Sequence, residues 1–418
     1  MRSNRTVQKT LNETLNSPAL GTDLGPRPCD ELNRLRAARP APSDDPWAVA
    51  LSGGGFRATF AALGAIRMLA SVGRLSELRY ASSVSGGSVA NALVATTWPR
   101  LRTAGFTPEA FDELVAEPAI AQVSSRSLTF ALVKNLWRTV GHQTRTDLLM
   151  QSFDGWFFGG LKLADLDPDV RWIFNAANLA SGVRFRFERD VLGDYTIGLS
   201  ATAPANLLLS TAVAASAAVP GAFAPVKING VQFPCAKHPP VLMDGGAYDN
   251  TGLQALDGPE LDDVFLVCLN AGGLLRPGAY GKLPLVRDLA RAHSLLYRQS
   301  TAIRTRSMVD RFERARAVAP GRQLPDGARR GVLVALATTF PEGEGRLRDW
   351  RRAHVEIREH AGRDLAQVPT VFDKLDPSLC RKLVYRGWWL VGAALASYAP
   401  DRLPDNLSTI RPPNMQGS

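Results

Sequence analysis

The sequence predicts an α/β protein with a central, mostly parallel sheet flanked by helices in three layers. The first observation is Trp47-Ala48-Val49-Ala50-Leu51, an apolar run of strand length that ends in Ser52-Gly53-Gly54-Gly55-Phe56-Arg57. From Arg57 to Leu69 the spacing of Phe60, Leu63, Ile66 and Leu69 is helical. The second is a strand at Leu78–Ser82 that closes on Ser83-Val84-Ser85-Gly86-Gly87 and opens an Ala-rich helix, Gly86–Ala95. Strand, glycine turn, helix, strand is a βαβ unit, whose strands pair in parallel through a right-handed crossover. The third is quantity: 418 residues with 45% hydrophobic content are enough to bury a large core.

In chain order, residues 1–45 are polar and rich in Pro, Asn and Arg, with a short helix around Asp30–Leu35, and read as a loosely held extension. Met1–Lys9 is followed by polar residues instead of an apolar core, so no secretory signal is visible. The domain proper spans 46–400. Leu207–Val226 is the longest apolar stretch, but Ser210, Thr211, Ser216, Pro220 and Gly221 interrupt it, which suits a buried helix ending at Pro220 better than a membrane span. Leu261–Leu269 and Val332–Leu336 read as later strands, and Lys382–Tyr398 as a closing helix with Trp388 and Trp389 in the core. Residues 401–418 form a tail.

The formal charge is +10, and only 8 of the 49 basic residues are lysine. Arginine dispersed in this way reads as a solvated face, and nucleic acid is not expected as a partner. Cys29, Cys235, Cys268 and Cys380 form no C-x-x-C pair, so neither a zinc ribbon nor a disulfide framework is implied. Reduced thiols in a cytoplasm are the simplest reading.

Ser85 is the candidate nucleophile. A serine at a strand-to-helix corner projects its hydroxyl above the sheet edge, at a helix N-terminus that favours developing negative charge. Ser82, Ser83 and Ser88 crowd the same turn, yet only Ser85 has glycine both one and two residues later. Ser83 stands where G-x-S-x-G has its first glycine, so a hydroxymethyl group has to fit there. Gly53, Gly54 and Gly55 leave backbone N–H groups uncovered, as an oxyanion hole requires. A phosphate cradle would need G-K-[ST] or G-x-G-x-x-G, which are absent; a plain tight turn is the other reading. Asp244 follows the apolar run Pro240–Met243 and precedes paired glycines, at a strand end where a carboxylate can accept the serine proton. Asp249 lacks the following glycines. His142, His238, His293, His354 and His360 lie in no triad pattern, although His238 is close to Asp244.

Ser52–Arg57, Ser83–Gly87, Ala215-Ser216-Ala217-Ala218-Val219-Pro220 and Asp244-Gly245-Gly246, in this order, resemble the patatin-like phospholipase family. The S-G-G-G-[FY]-R opening is also similar to the cytosolic phospholipase A2 catalytic domain, without its calcium-binding membrane domain. The similarity runs from about residue 46 to 400 and includes Phe174–Phe185. The resemblance implies a Ser85–Asp244 dyad that cleaves phospholipid or other lipid esters through an acyl-enzyme. It implies an oxyanion held by Gly53, Gly54 and Gly55, with Arg57 on the oxyanion or a substrate phosphate, and neither metal nor cofactor. From the residues alone, Arg57 also fits a solvent-facing helix start.

Residues 105–165, with Trp137, Trp156, Phe157 and Phe158, form either a cover that binds acyl chains or further core. The helix carrying Leu285, Leu289, Ala292, Leu296 and Ile303, with Arg287, Arg291, Arg298 and Arg304 interspersed, either lies on anionic membrane or packs on the sheet. The expected location is cytoplasmic or peripheral to a membrane. A general carboxylesterase, an acyltransferase with the same dyad and a non-catalytic lipid-binding protein remain open.

Overall fold

In the computed structural model, which describes residues 28–29, 37–128, 144–273, 284–319, 322–342, 344–357, 359–360 and 363–415, the run Trp47–Leu51 is β1. It is buried along its whole length, as a strand covered on both faces must be. The chain turns through Gly53 and Gly54 into α1 (Gly55–Ser71) and returns as β2 (Leu78–Val84), parallel to β1 with Ala50 opposite Ser82. After α2 (Gly86–Thr103), α3 (Glu117–Ser125) and α4 (Arg145–Phe153) comes β3 (Arg171–Asn178), parallel to β2.

Beyond β3 the sheet turns antiparallel. β4 (Val183–Phe187), β5 (Leu192–Asp194) and β6 (Gly198–Ser200) run on as a meander. α5 (Leu209–Ala217), β7 (Val226–Lys227) and β8 (Val241–Asp244) follow, and β8 lies antiparallel to β3. β9 (Phe265–Asn270), α6 (Pro284–Arg316) and β10 (Gly331–Ala335) complete the other side, then α7 (Gly345–Ala353) and α8 (Pro377–Tyr398). The order β10-β9-β1-β2-β3 is wholly parallel and forms the centre that the sequence predicts.

The two faces of the sheet are covered separately. Val49 and Leu51 point into the larger core with α1, α2 and α8, whereas Ala48, Ala50 and Leu266 face Leu253, Leu256, Met308 and Phe312. Alternation along β1 therefore builds three layers. α1 and α8 touch backbone to backbone: a Cβ added at Gly64 would lie 1.9 Å from the Val384 carbonyl oxygen, and one added at Gly387 would lie 1.9 Å from that of Ala61. Gly64→Ala is accordingly expected to lower stability by about 3 kcal/mol in urea denaturation; an unchanged midpoint would contradict so close a crossing.

Several expectations need correction. Cys29 and Cys235 form a disulfide, 206 residues apart in sequence, which overturns the reading of four reduced thiols. The N–H of Cys29 donates to Tyr195 and that of Cys235 to Ile197, so the N-terminal side of the chain is fastened to the β5–β6 edge. Cys268 and Cys380 are free and buried, and burial pushes the Cys380 thiol up to about 12. Arginine is not only a solvated face, since Arg57, Arg67, Arg329 and Arg386 are buried. After residue 400 the chain stays in contact with the core, burying Leu403, Leu407 and Ile410. α5 stops at Ala217, before Pro220, because the residue preceding a proline disfavours helix.

Trp388 and Trp389 are fully buried, and Phe158 belongs to the core while Trp156 and Phe157 are partly buried against it. On α6, Ile303 is exposed while Met308 and Phe312 pack on the sheet. The Asp30–Leu35 helix, Trp137, His142 and the side chains of Leu285, Arg287, Leu289, Arg291, Ala292, His293, Leu296 and His360 lie outside the described residues. Among the described residues no helix is long and apolar enough to cross a membrane.

Candidate active site

Ser85 has φ 51° and ψ −120°, a left-handed conformation for a residue other than glycine. Such a residue stores on the order of 1–3 kcal/mol and persists only where its surroundings hold it. Three elements do so. The Ser85 N–H donates to Ser216 Oγ at 3.0 Å, and Ser216 Oγ donates to the Asn175 carbonyl at 2.6 Å. The Ser85 carbonyl accepts the Ser88 N–H at 2.8 Å, which starts α2. The following positions admit no side chain: a Cβ at Gly86 would lie 2.0 Å from the Gly55 carbonyl oxygen, and one at Gly87 would lie 2.5 Å from that of Leu51. Ser83 fits because its hydroxyl has work there, donating to the Ile173 carbonyl at 3.1 Å and accepting from Asn91 Nδ2 at 2.9 Å.

The register of β3 brings Asp244 to this corner. Val84 pairs with Asn175, and Asp244 pairs with the next residue, Ala176. β2 and β8 therefore meet end to end along one side of β3, and Ser85 and Asp244 meet where they stop. The Asp244 carboxylate lies beside the Ser85 side chain and accepts the Gly246 N–H at 2.7 Å. Burial pushes its pKa up from 3.8 to about 6, and the neighbouring Ser85 side chain and the Gly246 N–H restrain the rise. The backbone is pinned on the same side, Asp244 N–H to the Ala218 carbonyl and Gly245 N–H to that of Ser216. Asp249 is engaged elsewhere: its carboxylate accepts from Thr251 N–H, Thr251 Oγ1 and Gln254 N–H. His238 is exposed, and His354 is buried against the Leu407 carbonyl.

The glycine run lies across from the serine, with a Cβ built on Gly53 only 3.1 Å from that of Ser85. Gly54 (φ 146°) and Gly55 (φ 61°) take up backbone that other residues rarely adopt. Two of the four groups expected to serve an oxyanion have their donors taken. The Gly53 N–H donates to Asn250, Oδ1 and carbonyl both at 3.1 Å. Arg57, 2% exposed, is not a solvent-facing helix start; its guanidinium donates to the carbonyls of Ala271 and Val368 and to Thr370 Oγ1. Burial lowers its pKa to about 10, so it remains a cation. The N–H groups of Gly54 and Gly55 donate to no backbone carbonyl among the described residues.

The family model for patatin-like phospholipases matches residues 49–257, from β1 to just beyond the Asp244 turn. The chain belongs to the patatin-like phospholipase family. No curated protein matches the sequence. The solved structure of human GIVD cytosolic phospholipase A2 shares the fold, with a TM-score of 0.50 and 12% identity over 87% of this chain and 60% of that one. The chain thus spans less than two thirds of that protein. VipD from Legionella pneumophila aligns with a TM-score of 0.34 and 13% identity, over 86% of this chain and 68% of its own.

The patatin-like match stops short of β9 and β10, which complete the parallel centre, and of Ala271 and Val368, whose carbonyls hold Arg57. Three residues of the site escape a reading of motifs alone. Ser216 looks like one more small residue in an alanine helix, yet it touches both Ser85 and Asn175. Asn250, 2% exposed, holds Gly53 through Oδ1, and its Nδ2 is buried without a partner among the described residues. Tyr297 on α6 approaches Gly246 to within 3.2 Å of a built Cβ, and burial together with the Asp244 charge pushes its phenol above the usual range. A polar residue inside an otherwise apolar run was the available signal for Ser216. Ser216→Ala leaves the Ser85 N–H buried and unpaired, and is expected to cost about 1–3 kcal/mol and to lower kcat about tenfold with KM little changed. Unaltered kcat in steady-state assays would show that the elbow is held by other contacts.

Proposed function

We propose that this chain is a serine hydrolase of lipid carboxylic esters, with phospholipids as the substrate class. The observation that carries this reading is the meeting of Ser85, held at positive φ at the end of β2, with the buried Asp244 carboxylate at the end of β8. As Ser85 Oγ attacks the ester carbonyl carbon, its proton passes to Asp244. The tetrahedral oxyanion lies against the N–H groups of Gly54 and Gly55, while Gly53 and Arg57 hold that loop through Asn250, Ala271 and Val368. When the intermediate collapses, the C–O bond to the leaving alcohol breaks and the alkoxide takes the proton from Asp244. Water then attacks the acyl-enzyme, giving its proton to Asp244. Collapse of this second intermediate returns the proton to Ser85 and releases the acid. A pKa of about 6 leaves Asp244 ionised at neutral pH yet basic enough to share the serine proton. Two aliphatic side chains in segments touching the site, Val219 and Val371, remain exposed, which suits an apolar substrate.

A fluorophosphonate probe reports directly on an activated serine. The wild-type protein is expected to be labelled and Ser85→Ala is not, with release of fatty acid from phospholipid vesicles lost in parallel. Labelling that persists in Ser85→Ala would place the nucleophile elsewhere.

A further inference from the structure

The amino ends of β9 and β10 lie at the opposite edge of the sheet from Ser85, a strand length or about 18 Å away. A cavity of about 550 Å³ opens there, within the size range of small-molecule sites. Phe265, Phe312, Val318 and Tyr398 give it apolar walls. Arg316, Arg330 and Arg402 bring three cations to it against a single carboxylate, Asp401.

The three arginines are not equivalent. Arg402 is fixed, with Nη1 on the Asp45 carboxylate at 2.6 and 2.7 Å and its guanidinium over the Phe265 ring at 4.9 Å. Its Nε lies 3.4 Å from Asp401 but is buried without a hydrogen bond among the described residues. Arg316 lies over the Tyr398 ring at 4.5 Å, and its Nε donates to the Phe312 carbonyl. Neither Arg316 nor Arg330 has an ion-pair partner among the described residues. Two unmatched guanidinium groups thus face a cavity whose remaining surface is mostly carbon. A bare inorganic anion would leave the walls wet, and a neutral amphiphile would leave the cations unmatched.

We propose that this cavity is a second ligand site, which takes an oxyanion, carboxylate or phosphate monoester, carried on an alkyl or aryl body. The anion bridges Arg316 and Arg330, and the apolar body lies along Phe265, Phe312 and Val318.

Calorimetry on the Ser85→Ala protein, which keeps ester turnover out of the measurement, tests this with octyl phosphate, octanoate, inorganic phosphate and octyl glucoside below their micellar concentrations. Octyl phosphate or octanoate is expected to bind more tightly than inorganic phosphate or octyl glucoside, and the better of the two identifies the head group. Adding Arg316→Gln and Arg330→Gln is expected to weaken that binding about tenfold or more. Both arginines are exposed, so the variant should keep its melting transition, and Arg330→Gln alone serves if it does not. The proposal is overturned if neither anionic amphiphile binds, if octyl glucoside or inorganic phosphate binds as well, or if binding survives the glutamine variants. None of these outcomes depends on whether Ser85 is a nucleophile.

Discussion

Asp244→Asn is expected to lower kcat/KM about 10³-fold while making the protein more stable at alkaline pH. The amide oxygen of asparagine can still accept the Gly246 N–H, so the turn is kept, but the side chain cannot take the serine proton. The stability gain follows from burial. The folded-state pKa of Asp244 lies at about 6, above the ordinary 3.8, so the unfolded chain carries the charge more easily than the fold does. Below pH ~4 the group is neutral in both states and costs nothing; as pH rises through about 6, the cost grows to about 3 kcal/mol. Urea denaturation should therefore show wild type losing stability between about pH 4 and pH 7 from this group, a loss that Asp244→Asn lacks. In the wild type, kcat/KM should rise over the same interval as the base ionises. A variant that is no more stable than wild type at pH 8, or that retains its activity, would contradict an ionised, buried base.

Gly86→Ala is expected to damage the site from the other direction. The added methyl would lie 2.0 Å from the carbonyl oxygen of Gly55, and 2.7 and 2.9 Å from its C and N atoms, all backbone. No side chain is available to move aside, so the glycine run or the start of α2 must shift. Since Gly55 is one of the two residues proposed to hold the oxyanion, kcat is expected to fall about 10²- to 10³-fold, together with about 2–3 kcal/mol of stability. The control is Gly73→Ala, where nothing lies within 4 Å of the added carbon, although φ +67° makes even that position strained. Equal losses at both positions would mean that backbone conformation, not contact between the two turns, limits the site.

The parallel centre was legible because β1, β2, β3 and β9 each end at or beside glycine, serine or asparagine, and because β1 is apolar at every position. Ser85 and Asp244 stood out for the same reason, lying at strand ends beside glycine pairs. Their meeting was less legible. It depends on β8 running antiparallel to β3 in a register that places Asp244 against Ala176, and four residues of strand carry no signal for direction. The other buried arginines were read as surface, and Arg57 was assigned either to the oxyanion or to solvent, because their partners are mostly carbonyls, which every residue possesses and no motif records. Cys29 and Cys235 escaped for a simpler reason: loop closure over 206 residues leaves no local spacing to notice. Ser216 and Asn250 act through hydrogen bonds to residues 131 and 197 positions away.

Because Val84 and Asp244 are seated on neighbouring residues of β3, that strand acts as a ruler for the chemistry. The chain may lengthen or shorten between α2 and β3, or between β6 and α5, without changing the gap between serine and acid, since neither segment sets it. One residue inserted within Asn175–Ala176 would change it at once, and would also turn the faces of the strand over. Diversity in what covers the site is thus cheap for this architecture, and diversity in β3 is not.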